Sequence, residues 1–382
     1  MPNQKKRILV FIDWFLPGTN SGGPVRSVAN LVDHLGEEFE FLIVTRDTDY
    51  CEEKPYNGIE ANKWTTLGEN CKVFYLSENN INVKYLKQLI SNTEFKLAYV
   101  NGIYSRFFSI VPVRILKSLN KPVVVAARGM LNPQAFSVKP LKKKIFIEAA
   151  KLAGLHSKTI FHATNEEEKE CIHKIFPYSK GILVAPNLPR KTEEGAIPIR
   201  EKTSTTKLIS VARVAKEKGT LTALKALFKS HSSENIIYDI YGPIYDQKYW
   251  QECKELIRRL PDNIQVNYKG SIESEEVPGI MKDYHFFLMP SEGENFGHGI
   301  LEALTAACPV IISDKTPWTK LRKQKIGWDC SLDSGDLVPA IEKAVSMDQK
   351  EYDKWSKASF EFAKEYCNDP KAIEASRRLF EL

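Results

Sequence analysis

The chain has 382 residues, 43% hydrophobic and 27% charged, with a formal net charge of +6, the make-up of a soluble globular protein long enough for two domains. No apolar stretch reaches the length of a membrane span, and Asp13 cuts the N-terminal apolar run too early for a secretory signal. Seven scattered cysteines, odd in number and without a CxxC pair, argue against a disulfide framework and a zinc site and point to a reducing, cytosolic setting.

Short apolar runs alternate with helical periodicities, the pattern of parallel sheets covered by helices. In the first half, strands are predicted at 7–12, 39–45, 72–76, 97–100, 122–126 and 159–162, and helices near 24–35, 82–92, 106–119, 139–153 and 165–176. A second series follows, with strands at 207–211, 236–241, 264–269, 283–289 and 309–313 and helices near 218–230, 246–259, 274–282 and 298–306. The stretch 188–206 is rich in Pro, Thr and charge and lacks apolar periodicity, as a linker would. The domains are therefore drawn as 1–187, a linker at 188–206, 207–348, and C-terminal helices at 349–382 that are free to pack back on the first domain. Trp355, Phe360, Phe362, Tyr366 and Phe380 are the packing anchors of that tail. The fold class is α/β, two doubly wound Rossmann-like domains facing across a cleft, with ligands expected at the carboxyl ends of the strands.

Charge is unevenly shared. Residues 1–187 hold 25 Lys/Arg and 18 Asp/Glu, giving +7; the remainder holds 54 − 25 = 29 against 48 − 18 = 30, giving −1. The first half is thus the one to meet an anionic partner. Within it, the segment from Lys139 to Lys144 opens a basic helix with Phe146, Leu152 and Leu155 among its apolar positions. It reads either as a dock for an anionic membrane surface or as a solvated face over a core stripe.

Three constellations carry chemistry. The loop containing Gly22 and Gly23 follows the first strand and precedes a helix, where backbone amides can approach a phosphate closely. It is not GxGxxG, which disfavours a nicotinamide site. In the second half, Arg213 ends the first strand and Lys218 precedes the next helix, a pair of cations suited to a diphosphate. The most informative stretch is 290–302, PSEGENFGHGILE: a buried strand, a polar loop and a helix start, with Glu294 and Glu302 as hydroxyl-accepting carboxylates. Each of these also reads as an ordinary polar turn. Asp47-Thr48-Asp49 spells the metal-binding DxD, but lies far in sequence from the two cations and is taken as a solvated loop.

Together these residues resemble glycosyltransferase family 4, retaining enzymes of GT-B fold, and bacterial cell-surface polysaccharide and lipopolysaccharide transferases in particular. The resemblance rests on Arg213 with Lys218, the Glu294-x7-Glu302 pair, Pro290-Ser291, the Gly22-Gly23 loop, and residues 127–133, which look like a PRGML segment. It implies that Arg213 and Lys218 hold the diphosphate of a nucleotide-sugar, that Glu294 contacts the donor sugar, and that Glu302 contacts the ribose. Amides around Phe296, Gly297, His298 and Gly299 would approach sugar or phosphate, and Gly22 and Gly23 would close on the phosphates. The base would lie near Gly242 and near Gly270, Ser271 and Ile272. The family's first-domain histidine has no match here, so Asn101, Tyr104 or Arg128 is expected on the acceptor side. No metal and no cofactor are expected. The partners are a nucleotide-sugar and a glycan or lipid-linked acceptor, not nucleic acid. The alternatives are a sugar phosphorylase or sucrose-synthase-like enzyme on the same fold, and a basic nucleic-acid-binding protein, which a net +6 without an aromatic-basic motif disfavours.

Overall fold

The structure is a computed structural model that describes residues 5–132, 140–191 and 196–382. The chain forms two compact units, residues 1–191 with 369–382, and residues 192–368.

In the first unit the strands are β1 (Lys6–Phe11), β2 (Phe39–Arg46), β3 (Trp64–Thr66), β4 (Cys71–Leu76), β5 (Leu97–Asn101), β6 (Val123–Ala126), β7 (Ile160–Ala163) and β8 (Gly181–Val184). They form one sheet in the order β3-β4-β2-β1-β5-β6-β7-β8, parallel except for the β3–β4 pair. The connecting helices are α1 (Gly23–Leu35), α2 (Val83–Asn92), α3 (Val111–Ser118), α4 (Pro140–Leu152) and α5 (Glu166–Ile175). The strands are apolar almost without interruption because both faces are covered. Leu9 and Phe11 of β1 enter one core with Leu42, Val44 and helices α2 to α5; Ile8 and Val10 enter the other with Phe41, Ile43 and α1.

The second unit repeats the plan with β9 (Thr205–Val211), β10 (Asn235–Tyr241), β11 (Ile264–Gly270), β12 (Phe286–Met289), β13 (Val310–Ser313) and β14 (Gly327–Cys330). Its sheet is parallel throughout, in the order β11-β10-β9-β12-β13-β14. Helices α6 (Thr220–Lys229), α7 (Gln247–Ile257), α8 (Val277–Met281), α9 (His298–Thr305), α10 (Leu321–Gln324), α11 (Leu337–Val345) and α12 (Gln349–Cys367) cover it. Trp355 of α12 stacks on Trp328 of β14 with ring centroids 4.4 Å apart. The last helix, α13 (Pro370–Arg378), belongs to the first unit. There Phe380 is fully buried against Phe39, Phe41 and Tyr99, and Arg377 forms a two-pronged pair with Glu38.

Several elements are absent from the sequence expectation. Strands β3, β8 and β14 are three or four residues long. The GWDC of β14 opens on glycine and contains Asp329, residue types that strands seldom carry. Gly327 is there because a Cβ would lie 2.2 Å from the Val310 carbonyl of β13, so only glycine allows the two strands to pair. The predicted helix 106–119 begins instead as a π-helical turn over Arg106–Ile110. The stretch taken as a linker is not detached either. Arg200 is buried, and its guanidinium donates to the carbonyls of Lys282 (2.6 Å), Ala307 (2.7 Å) and Ala306, just beyond the ends of α8 and α9. A cation at two helix C-termini is a favourable pairing with their dipoles, and it anchors this segment to the second unit.

Three histidines, His156, His162 and His285, are buried. His162 donates from Nε2 to the Ala185 carbonyl and accepts at Nδ1 from the Tyr99 hydroxyl. His285 accepts at Nδ1 from the Lys207 amide and donates from Nε2 to the Glu201 carbonyl. His156 lies between Phe161 and Phe176 with neither ring nitrogen hydrogen-bonded. Burial pushes all three down from 6.5, to about 4 for His156, about 3 for His162 and about 4 for His285. Folded values below the unfolded one mean that their stabilisation is complete above pH 6.5 and is lost as pH falls from there towards 4. Each can cost roughly 3 kcal/mol by the bottom of that window. Melting temperature measured across it should fall steeply, and His156→Leu, which replaces an unbonded ring, should flatten the fall. A curve identical to the parent's would show that His156 is not neutral in the folded state.

Candidate active site

The order of the second sheet reverses at β9, with β10 and β11 to one side and β12 to β14 to the other. At such a switch point the loops leaving adjacent strands diverge and open a crevice at the carboxyl ends. The loops after β9 and β12 meet there. The Glu292 amide donates to the Glu217 carbonyl at 2.9 Å, and Gly219, with φ of 75°, packs so closely on Pro290 that a Cβ would lie 2.0 Å from its carbonyl oxygen. That approach brings together Lys218 and Glu294, 76 residues apart. Lys218 Nζ donates to Glu294 Oε1 at 2.6 Å, with the side chains 20% and 10% exposed. A charge-assisted bond of that length, mostly withdrawn from solvent, fixes both groups.

Arg213 extends from the same loop, pairs with Glu217 at 3.2 Å and lies over the Tyr245 ring at 5.9 Å. Each of the two cations is thus held by an acid partner, Arg213 by Glu217 and Lys218 by Glu294. The turn after β10 packs against the loop that carries Arg213. Gly242, with φ of 133°, comes so near the Ala212 carbonyl that a Cβ would lie 2.0 Å away, and its amide donates to Gly270 O at 2.8 Å. Ser271 beyond it is exposed, and Ile272 packs on the core of this unit.

Helix α9 starts from Gly297 in the left-handed region (φ of 80°), with no side-chain cap and no acid in its first turn. Such a start directs amide N–H groups and the positive end of the helix dipole at the crevice. Phe296 is buried, its carbonyl accepts from the Trp318 indole, and its ring meets His298 edge-on at 4.7 Å. A Cβ on Gly299 would sit 3.4 Å from the carbonyl of Val211, the last residue of β9. Glu302 is 8% exposed and lies in the second turn, so it does not serve the dipole as an early acid would.

In the first unit the turn before α1 has a support that the sequence reading took for solvated loop. Asp49 Oδ2 accepts from the Thr19 amide (3.0 Å) and the Asn20 amide (3.1 Å), and its Oδ1 from that of Tyr50 (2.6 Å). Asp47 is buried, 6% exposed. The DxD therefore shapes the loop that carries Gly22 (φ of 71°) and Gly23, the first residue of α1. Asn101 and Arg128 do come together, but as internal ties. Arg128 donates to Asn101 Oδ1 at 2.8 Å, to the Tyr99 hydroxyl at 2.8 Å and to Asn187 Oδ1. Tyr104 donates to the Met130 carbonyl at 3.1 Å. Within residues 127–133, Pro133 falls outside the described residues, as does Lys139 of the basic segment.

A polar cluster missed by the sequence reading stands where the first sheet reverses, between β1 and β5. Asp13, just past β1, accepts at Oδ1 from Ser105 Oγ at 2.7 Å and lies 3.7 Å from Arg46 of β2. Burial raises its carboxyl, against the opposing pull of Ser105 and Arg46. The available signal was an acid directly after the first strand, beside Trp14. Among the described residues no group of three or more His, Cys, Asp or Glu is placed to hold a metal ion, and no helix is long and apolar enough to cross a membrane.

Residues 192–362 match the family model of glycosyl transferases group 1. The second unit is thus similar to the group 1 glycosyl transferases over nearly its whole length. The whole chain takes the GT-B fold of glycosyltransferases. Solved structures similar to it include the sucrose-phosphate synthase of Thermosynechococcus elongatus, 15% identical with a TM-score of 0.69 over 98% of both chains. HepE of Anabaena, in complex with UDP and glucose, is 13% identical with a TM-score of 0.66 over 98% of both chains. WaaG, a glycosyltransferase involved in lipopolysaccharide biosynthesis, is 13% identical with a TM-score of 0.67 over 98% of this chain and 99% of its own. No curated protein matches the sequence. In the second unit, the Lys218–Glu294 pair and the start of α9 form the centre of the candidate site.

Proposed function

We propose that the protein is a retaining, metal-independent glycosyltransferase that moves a sugar from a nucleoside diphosphate to a glycan or lipid-linked acceptor in cell-surface polysaccharide biosynthesis, in the cytoplasm. The observation that carries this reading is the Lys218–Glu294 pair at 2.6 Å beside the uncapped start of α9. A cation and amide donors suit phosphate oxygens, while a carboxylate anchored at one oxygen can accept from a sugar hydroxyl with the other.

In the proposed step the bond between the anomeric carbon and the diphosphate oxygen breaks, and a bond to the acceptor oxygen forms on the same face. The acceptor proton passes to a departing diphosphate oxygen, so no side chain has to act as base. Arg213, Lys218 and the α9 amides stabilise the charge on the leaving diphosphate. Glu294 orients the donor sugar and faces the positive charge developing on it. Glu302 takes the ribose, and the turns at Gly242 and at 270–272 take the base.

Thermal shift with UDP, GDP, ADP and dTDP, each also as its nucleotide-sugar, tests the donor class. UDP is the first choice, since HepE is described with UDP and glucose. One nucleotide series should stabilise the protein clearly; a flat response to all of them sinks the proposal. Arg213→Ala, losing a partly exposed cation, should lower kcat about tenfold while shifting the donor KM less. Unchanged turnover at saturating donor would remove Arg213 from charge stabilisation.

A further inference from the structure

Helix α4 leaves an apolar stripe in solvent. Leu141, Ile145 and Leu152 are 70%, 61% and 90% exposed, and their i, i+4, i+11 spacing puts them on one side of the helix. Single exposed leucines are ordinary, but three aligned on one helix are a surface without its cover. Turning about the helix, the stripe passes through Ala149 into a cavity of about 540 Å³ between α3 and α4. Ile110, Phe146, Ala150, Ala153 and Leu155 complete its apolar lining.

Three cations line the same cavity: Arg114, Lys117 and Lys158. Lys117 Nζ donates to the Gly154 carbonyl at 2.5 Å and Lys158 Nζ to Asn120 Oδ1 at 2.6 Å. Among the described residues, none of the three has a carboxylate partner. Acids are scarce throughout this region. Residues 101–160 hold eleven lysines and arginines against one carboxylate, Glu148, which already pairs with Lys151 at 2.9 Å. The uncovered surface therefore asks for hydrocarbon and negative charge from one partner, at adjoining positions.

We propose that α4 and this cavity form a binding site for the anionic face of a lipid bilayer. Leu141, Ile145 and Leu152 enter the acyl layer, Lys142 and Lys144 flank them at the level of the headgroups, and Arg114, Lys117 and Lys158 receive the phosphate of one lipid. The alanine-lined cavity beside those cations takes the first carbons of that lipid's chain. An apolar stripe or a basic patch alone gives marginal attachment, whereas the two together give a stable one. The assignment goes beyond the proposed transfer and does not depend on it, because lipid binding is measured without any donor.

The test is co-sedimentation of the full chain with phosphatidylcholine vesicles, and with vesicles in which about a third of the lipid is phosphatidylglycerol. The protein should pellet with the anionic vesicles and remain in the supernatant with the neutral ones. Ile145→Glu with Leu152→Glu, both at solvent-facing positions, should lower partitioning about tenfold at an unchanged melting temperature. Arg114→Ala with Lys158→Ala should lower it several-fold and blunt its dependence on salt. A parent protein that stays in the supernatant with anionic vesicles overturns the proposal. So does pelleting that both double variants leave undiminished.

Discussion

Lys218→Ala is expected to lower turnover about a hundredfold or more, the scale seen when one charge-stabilising donor is removed from a site. Lys218 holds Glu294 at 2.6 Å with both side chains mostly withdrawn from water, so the substitution removes a phosphate partner and leaves a carboxylate half-desolvated beside it. The loss of stability should be modest, about 1–3 kcal/mol, because residual exposure screens the pair. The double variant Lys218→Ala with Glu294→Gln separates the two effects. Removing the stranded charge should restore much of the stability and none of the turnover. Kinetics at saturating donor alongside denaturant unfolding read both outcomes. Full turnover in Lys218→Ala would end its assignment to the leaving diphosphate.

Gly219→Ala is expected to destabilise the second unit by about 3 kcal/mol or more and to abolish donor binding. Two separate costs meet at this position. Its φ of 75° is a left-handed conformation, and the new methyl would lie 2.0 Å from the carbonyl of Pro290. Since that carbonyl belongs to the loop carrying Glu294, relief of the clash has to move the loop away from Lys218. Gly270 is the control, with a similar φ of 80° and nothing within 4 Å of its would-be Cβ. Gly270→Ala should cost only about 1 kcal/mol, the price of the backbone conformation alone. Equal melting temperatures for the two variants would show that the close approach of the loops carries no energy.

The order of elements was readable because parallel strands buried on both faces leave continuous apolar runs. The series from β1 to β7, β3 apart, and from β9 to β13 lies within a few residues of its expected bounds, with β12 starting at Phe286 rather than 283. Short edge pieces were hidden: β14 is a strand only because β13 beside it accepts a glycine. Arg200 illustrates the opposite limit. In sequence it is one more charge in a Pro- and Thr-rich stretch, and nothing local announces that carbonyls at residues 282, 306 and 307 will surround it.

The site divides in the same way. The residue types at Arg213, Lys218, Glu294 and Glu302 and the glycines around them were legible because each stands where a strand gives way to a helix, a position that local pattern reveals. Sequence by itself thus determined two α/β units and the cations, carboxylates and glycines at the strand ends of the second. Tertiary structure decided their pairing: Lys218 with Glu294, Arg213 with Glu217, Asp49 with the loop before α1, and Arg128 with Asn101 inside the first unit. The physical reason is range. Periodicity and turn chemistry act over a few residues, whereas an ion pair 76 residues apart exists only once two loops are brought together by the strands beneath them.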